Sequence, residues 1–424
     1  MIVTFLGMLF IPVGIALLFF DKKYLLILAL LFAGFSGSAI CIIGDLGIQP
    51  SYYFVMLCFA KQILLAKKIK IQKSLIKDNR YLVLFVMLGV LSLIMPLTFA
   101  KGISVMNVDG VITSVSFSSS NITQLMYLIF CVLFYFYFVK IIEKNSYERN
   151  MEITKWYIAG VYFAIIVSTY QIFAIKYGLP FDELFRQSPH GNVQGTRIYG
   201  PCIEASMLCY YLVSALPVMV RFKKGIINWI MMALNVGLGV YSFSSTYIFG
   251  LLIWILLEGL ALFKKNKKKI SSRYILVVLV AFLLMAIVMS QYSEYIVIAW
   301  GKLISTFQST NISGIQRAYS AKLLFSAFCS SPVLGVGYGS CRGNDLLTTW
   351  LACVGILGIL PIIAFVYKRL TIKGSDQGIK FSIVIVWALM LISVPEPYNL
   401  FIWMLLAFAS IKRNTKDKNI NEKA

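Results

Sequence analysis

The sequence predicts an all-α fold, a polytopic integral membrane bundle of about 12 to 13 helices with two long outer loops, forming one domain over residues 1–424. Three observations lead there. The 424 residues are 59% hydrophobic and 15% aromatic, more apolar than a soluble globular chain. Apolar stretches of about 17 to 22 residues recur from end to end, each able to cross a hydrocarbon core of roughly 30 Å as a helix. Of 39 Lys and Arg residues, thirty fall in every second loop and eight in the loops between, with Lys61 near a segment end. Basic loops face the cytoplasm, so the net charge of +22 belongs to the inner face and the basic-poor loops lie outside. Lipid tolerates only helices and closed barrels, and these runs lack the alternation of barrel strands.

The expected spans lie near 2–20, 24–43, 50–66, 81–100, 122–140, 156–175, 202–220, 226–243, 246–263, 274–292, 346–367, 380–395 and 398–411. The first has no basic leader and is followed by Asp21-Lys22-Lys23, so it reads as an anchor starting outside rather than a cleaved signal. Basic inner runs such as Lys67-Lys68-Ile69-Lys70 and Arg221-Phe222-Lys223-Lys224 orient the chain and attract anionic lipid headgroups, not nucleic acid. Glu258 lies close to the inner lysines and is expected to extend toward them. The eight cysteines are scattered without a CxxC pair; Cys329 and Cys341 share an outer loop, but apolar packing is the expected role. Nucleotide-loop, dinucleotide and HExxH signatures are missing, so no cofactor and no metal are expected. The spans carry almost no ionisable group and show no internal repeat, which counts against an ion-coupled carrier.

Three outer loops are long. The first, 101–121, is rich in Ser and Val and carries little chemical promise. The second, about 176–204, holds Lys176, Asp182, Glu183, Arg186, the only histidine His190, Arg197 and Glu204. The third, about 291–345, holds Trp300, Lys302, Arg317, Lys322, Arg342 and Asp345. Its stretch 314–328 predicts a short amphipathic interfacial helix with Leu324, Phe325 and Phe328 on the apolar face. A Pro/Gly-punctuated turn follows, Ser331-Pro332-Val-Leu-Gly335-Val-Gly337-Tyr-Gly339, of the kind that lets backbone approach closely. The eight outer basic residues meet eight outer acids, yet all four outer arginines lie in the second and third loops. Those loops are therefore the expected working site.

The strongest local signal is Gly195-Thr-Arg197-Ile-Tyr-Gly200-Pro-Cys-Ile-Glu204-Ala-Ser206, which runs straight into a span. A carboxylate at that apolar boundary is a candidate general base, since desolvation raises its proton affinity while a neighbouring arginine lowers it. The alternative is an acid favourably placed at a helix N-terminus. Asp182-Glu183 is a weak candidate for a divalent cation, because adjacent loop acids are usually just solvated.

The run Arg197-x-x-Gly200-x-x-x-Glu204-x-Ser206 resembles the arginine–glycine–glutamate motif of the O-antigen and capsular polysaccharide polymerases (Wzy-type). Arg317, the glycine turn at 331–339 and a span bearing Gly355-Ile-Leu-Gly358 are similar to that family too, whose superfamily includes the O-antigen ligases. The resemblance implies that an oligosaccharide passes from one undecaprenyl-pyrophosphate carrier to the sugar of another, on the outer face of a bacterial inner (plasma) membrane. It implies membrane lipid as surroundings and a chain-length regulator protein as partner. Arg317 and Arg197 are then expected on the donor pyrophosphate, with Arg186 and Arg342 as further contacts. His190, Lys322 and Tyr199 join as substrate-binding residues, and Glu204 takes the proton of the acceptor hydroxyl. The outer turn at Ser242-Phe-Ser244-Ser245-Thr246 lacks an arginine common in the family, and no histidine follows Arg342, which favours polymerase over ligase. A ligase and a lipid-linked oligosaccharide flippase are the alternatives.

Overall fold

The computed structural model describes residues 1–44, 46–65, 73–106, 111–187, 197–222, 225–242, 244–264 and 312–412. The expected span 274–292, His190, Trp300 and Lys302 lie outside the described residues. The chain is mostly helical. In order come β1 (Ile2–Val3), α1 (Phe5–Leu17), α2 (Lys22–Leu31), β2 (Cys41–Ile43), β3 (Leu46–Ile48), α3 (Pro50–Leu65), α4 (Lys73–Asp78) and α5 (Arg80–Ser92). After the hairpin β4 (Ser104–Met106) and β5 (Ile112–Ser114) follow α6 (Ser119–Lys144), α7 (Tyr147–Tyr177), α8 (Asp182–Phe185), α9 (Ala205–Phe222), α10 (Ile226–Tyr241) and α11 (Ser245–Lys264). The last elements are α12 (Ile312–Ser330), α13 (Leu346–Leu370), α14 (Gln377–Ile392) and α15 (Leu400–Phe408).

Among the described residues, five helices are long and apolar enough to cross a membrane: Arg80–Leu97, Ser119–Lys144, Tyr147–Tyr177, Ala205–Phe222 and Leu346–Leu370. Five further apolar helices are shorter. Each expected span inside the described residues carries a helix, but two depart from a continuous crossing. In 24–43 the helix stops at Leu31; residues 32–40 are irregular and buried, and the run ends in β2. Irregular backbone at such depth needs partners from the protein itself. Gly37 N–H donates to Pro201 O at 2.9 Å, and the Cys202 thiol donates to Gly34 O at 3.1 Å. In 398–411 the helix is only nine residues, about 14 Å long, and every one of them is buried.

The two sets of loops separated by the charge pattern contact only their own kind in the interactions described here. At one end, Thr4 caps α1 by accepting from Gly7 N, and its hydroxyl donates to Ala39 O at 2.5 Å. There β1, β2 and β3 form one antiparallel sheet in that order, and β4 pairs with β5. At the other end, buried Lys61 reaches the carbonyls that close α1, Leu18 O at 2.7 Å and Phe20 O, a cation at a helix C-terminus. Arg369, also buried, donates to Asn79 Oδ1 at 2.7 Å, and Arg221 pairs with Glu258 at 2.9 Å. Glu258 thus pairs with an arginine of α9, while the lysine side chains of 264–269 lie outside the described residues.

The second departure from regular helix is at Gly355, inside α13, with φ 62° and ψ −168°. That region of backbone space is essentially confined to glycine. Around the break the chain 332–337 lies against α13 and replaces its ladder. Val336 N–H donates to Ala352 O (2.7 Å), Gly337 N–H to Cys353 O (3.1 Å), and Ile356 N–H to Pro332 O (2.9 Å). The approach is so close that a Cβ on Gly335 would stand 2.3 Å from Ala352 O, and one on Gly355 would stand 2.4 Å from Val333 O.

Gly355→Ala is therefore expected to cost at least about 2–3 kcal/mol, read as a lower thermal midpoint of the detergent-solubilised protein. Gly237→Ala is the control, since a Cβ there meets nothing within 4 Å. It is expected to hold or raise the midpoint by up to about 1 kcal/mol of helix propensity.

Candidate functional site

The 197–204 loop stands on α7. Fully buried Gln171 accepts, through Oε1, the backbone N–H of Tyr199 at 3.0 Å and of Gly200 at 2.8 Å. Gly200 has φ +54°, and a Cβ there would lie 2.1 Å from Ser168 Oγ. The arginine–glycine spacing is thus a turn pressed onto a helix. Glu204 immediately precedes α9; its carbonyl accepts from Met207 and Leu208 N–H, and its exposed carboxylate accepts from Ser206 Oγ at 3.1 Å.

Arg186 and Tyr199, both expected on substrate, lie in the foundation of this loop. The Tyr199 hydroxyl donates to Asp182 at 2.9 Å. The Arg186 guanidinium stacks 4.1 Å from the centroid of the Tyr199 ring, and its Nη2 donates to Ile203 O at 2.9 Å. Arg186 is 6% exposed and also lies 3.9 Å from Asp182. Such a buried, stacked and hydrogen-bonded guanidinium holds chain segments together. Asp182 is accordingly engaged by protein groups.

Arg317 comes from α12, whose residues Ser320, Leu324 and Ala327 form a buried stripe at helical spacing against α13. Arg317 extends that stripe by one turn and is half-buried. Phe325, expected on the apolar face, is 52% exposed, and Lys322 lies on the exposed side of the helix. Burial pushes the Arg317 pKa down, Arg197's like charge works the same way, and Glu204 and Asp345 pull it back up. Arg342 is also shifted down by burial, opposed by Tyr398 and Glu204. Arg197, Arg317, Arg342 and Glu204 therefore share one electrostatic neighbourhood, although they come from three separate stretches of chain.

Their neighbours differ. Among the described residues, Arg197 and Arg317 make no hydrogen bond or ion pair, and Arg197 Nε is buried without a partner. Arg342 is paired with Glu396, and its backbone N–H donates to Met106 O at 3.0 Å. The 101–121 loop thus reaches the site through β4, contrary to its bland composition. Asp345 is committed to capping α13, accepting from Thr348 N and Thr348 Oγ1, each at 2.7 Å.

Beneath Arg342 the Tyr338 and Tyr398 hydroxyls meet at 2.9 Å, and the Asn121 amide donates to Tyr338 O at 2.7 Å. Gln124, Tyr338, Arg342, Trp350, Pro397 and Tyr398 line a small cleft there. Cys341 and Cys353 face each other in the same wall with sulfurs 3.3 Å apart, whereas Cys329 is exposed elsewhere. Glu396, Tyr398 and Gln124 are the residues that sequence reading missed. The available signal was Pro395-Glu396-Pro397, an acid between two prolines beside a span end.

Gln171→Leu strands two buried N–H groups and is expected to cost roughly 1–3 kcal/mol for each, measured as a fall in thermal midpoint. Cysteines placed in the 197–204 loop should also become more reactive to thiol reagents in that variant. No family model matches the chain, and no curated protein matches it.

Proposed function

We propose that the protein is a polysaccharide polymerase of the Wzy type, a bundle of about 12 to 13 spans in a bacterial inner membrane with its site on the outer face. It joins undecaprenyl-pyrophosphate-linked oligosaccharide repeat units, with a chain-length regulator as partner. The observation that carries this reading is the pair Arg197 and Arg317. They are two half-buried like charges, unpaired among the described residues and set beside an exposed carboxylate. Juxtaposed cations cost stability unless they serve an anion of higher charge. A diphosphate offers that charge and accepts the planar guanidinium fork bidentately.

In this reaction the acceptor sugar hydroxyl attacks the anomeric carbon of the donor. The bond from that carbon to the phosphate oxygen breaks, its electron pair leaves on the lipid pyrophosphate, and the hydroxyl proton passes to a carboxylate. Among the described residues, Glu204 and Glu396 are such groups beside the arginines, Asp345 being committed to its helix cap. An arginine–phosphate pair at about 4 Å and an effective dielectric near 20 contributes about 4 kcal/mol. Realised as charge develops on the leaving group, that is roughly a thousandfold in rate for one arginine. The pyrophosphate is already an activated leaving group, in keeping with a chain that carries no nucleotide-binding loop.

Reconstitution in vesicles with lipid-linked repeat units is expected to yield long glycan chains. Attachment of finished chains one at a time to lipid A core would instead identify a ligase, and movement of lipid-linked units without bond formation a flippase. Arg317→Lys keeps the charge and loses the fork, so polymer should fall by about a hundredfold or more while the protein still inserts. Full activity in that variant would sink the phosphate argument.

A further inference from the structure

Glu396 is absorbed by no motif, yet it holds one of the site's arginines. It sits in the Pro395–Pro397 turn with its side chain 14% exposed, and its carboxylate pairs with Arg342, whose side chain is 32% exposed. The Glu396 backbone N–H donates to Val394 O at 2.7 Å, so the turn is internally closed and holds the carboxylate in place. Resting on the polymerase reading, we propose that Glu396 is the proton acceptor of the transfer, kept inactive by Arg342 until the donor's pyrophosphate draws that guanidinium away.

The argument is one of competition. Glu204 acts on Arg342 as well as on Arg317, so these two arginines lie within electrostatic reach of one carboxylate. A diphosphate seated on Arg197 and Arg317 beside Glu204 therefore comes within the reach of a third guanidinium whose present partner carries a single charge. Phosphate oxygens outbid a carboxylate for that fork. Once Arg342 turns, Glu396 remains between Pro395 and Pro397 with its side chain 14% exposed. Among the described residues the cation that pairs with it is Arg342, and the titratable groups that meet the neighbouring Tyr398 are Tyr338, Tyr52, Tyr127 and Cys131, with Glu204 acting on Arg342. Loss of a partner at a desolvated site raises the proton affinity of a carboxylate. The base is thus made when the donor binds, and not before.

Glu204 fits that role less well. Its carboxylate is exposed, accepts from Ser206, and acts on both Arg317 and Arg342, so it balances the arginine cluster. Glu396, by contrast, lies between Pro395 and Pro397, which line the cleft with Gln124, Trp350 and Tyr398, a polar and aromatic surface suited to a sugar ring. In the balanced step the acceptor oxygen bonds to the donor anomeric carbon while its proton moves to Glu396. The electron pair of the broken carbon–oxygen bond departs on the lipid pyrophosphate, and Glu396 later releases the proton to water.

The test uses the full-length reconstituted protein and two readouts, binding of farnesyl pyrophosphate and elongation of lipid-linked repeat units. Glu396→Gln is expected to bind farnesyl pyrophosphate as tightly as wild type or more tightly, because Arg342 is set free. Its elongation rate should drop by about a hundredfold or more, the usual worth of a general base. A purely structural ion pair predicts weaker binding instead, and elongation within about tenfold of wild type would overturn the proposal. So would a larger loss in Glu204→Gln than in Glu396→Gln. Should Glu396→Gln fail to accumulate, the swapped pair Arg342→Glu/Glu396→Arg decides: it restores a structural bridge, so recovered elongation refutes the assignment and an inserted but inactive protein supports it. Wild type that neither binds farnesyl pyrophosphate nor elongates would remove the polymerase reading itself, a result distinct from failure of the Glu396 role.

Discussion

The site depends on a helix that surrenders part of its own hydrogen bonding. At Gly355 the backbone of α13 leaves helical space, and the segment 332–337 supplies the missing partners. Buried carbonyls and amides have to be matched somewhere, so the break and the loop stabilise each other. The interlock sets where the chain goes next, through Tyr338 to Arg342. Without the closest approach, which only glycine permits at 335 and 355, Arg342 would have no defined height above the tyrosines. The foundation under Arg197 follows the same logic, with Gln171 serving two amides and Gly200 fitting against Ser168.

On this rigid base the arginines divide into kinds. Arg186 is spent on Tyr199, Asp182 and Ile203, which makes it part of the frame. Arg342 is matched by one carboxylate, that of Glu396. Arg197 and Arg317 carry their charge into a half-buried place with no such match among the described residues. A fold that tolerates this unbalanced charge gives up some stability, which is the cost the proposed anion site would recover on binding.

What was legible in the sequence follows from how costly each feature is to place by chance. Arg197, Glu204 and Arg317 stood out because charge at an apolar boundary is expensive, and the structure brings all three into one neighbourhood. The glycines at 331–339 announced a tight turn, but not the break in a helix some twenty residues later that receives it. Residues 32–40 read as the second half of a span, since an apolar run looks the same whether it is coiled or irregular; only Pro201 and Cys202, far along the chain, decide the matter. Glu396 was hidden for a related reason. Its meaning lies in Arg342, a partner that tertiary packing alone supplies. The outer hairpin of β4 and β5 was too short for its alternation to register.

Sequence separation carries a last consequence, for the order in which the molecule matures. The Tyr52 hydroxyl at the start of α3 donates to Tyr398 O, a bond that spans 346 residues. Gly37 likewise waits for Pro201. A chain threaded into a bilayer from its amino end therefore carries Arg197, Arg317 and Arg342 before Tyr398 is made. The carboxylate between the two prolines arrives after all three of these arginines, with the buried nine-residue helix directly behind it. Long-range closures of this kind are slow and come late in folding. A ribosome-bound intermediate of this protein should therefore carry Arg342 without Glu396, the partner that tertiary packing later supplies.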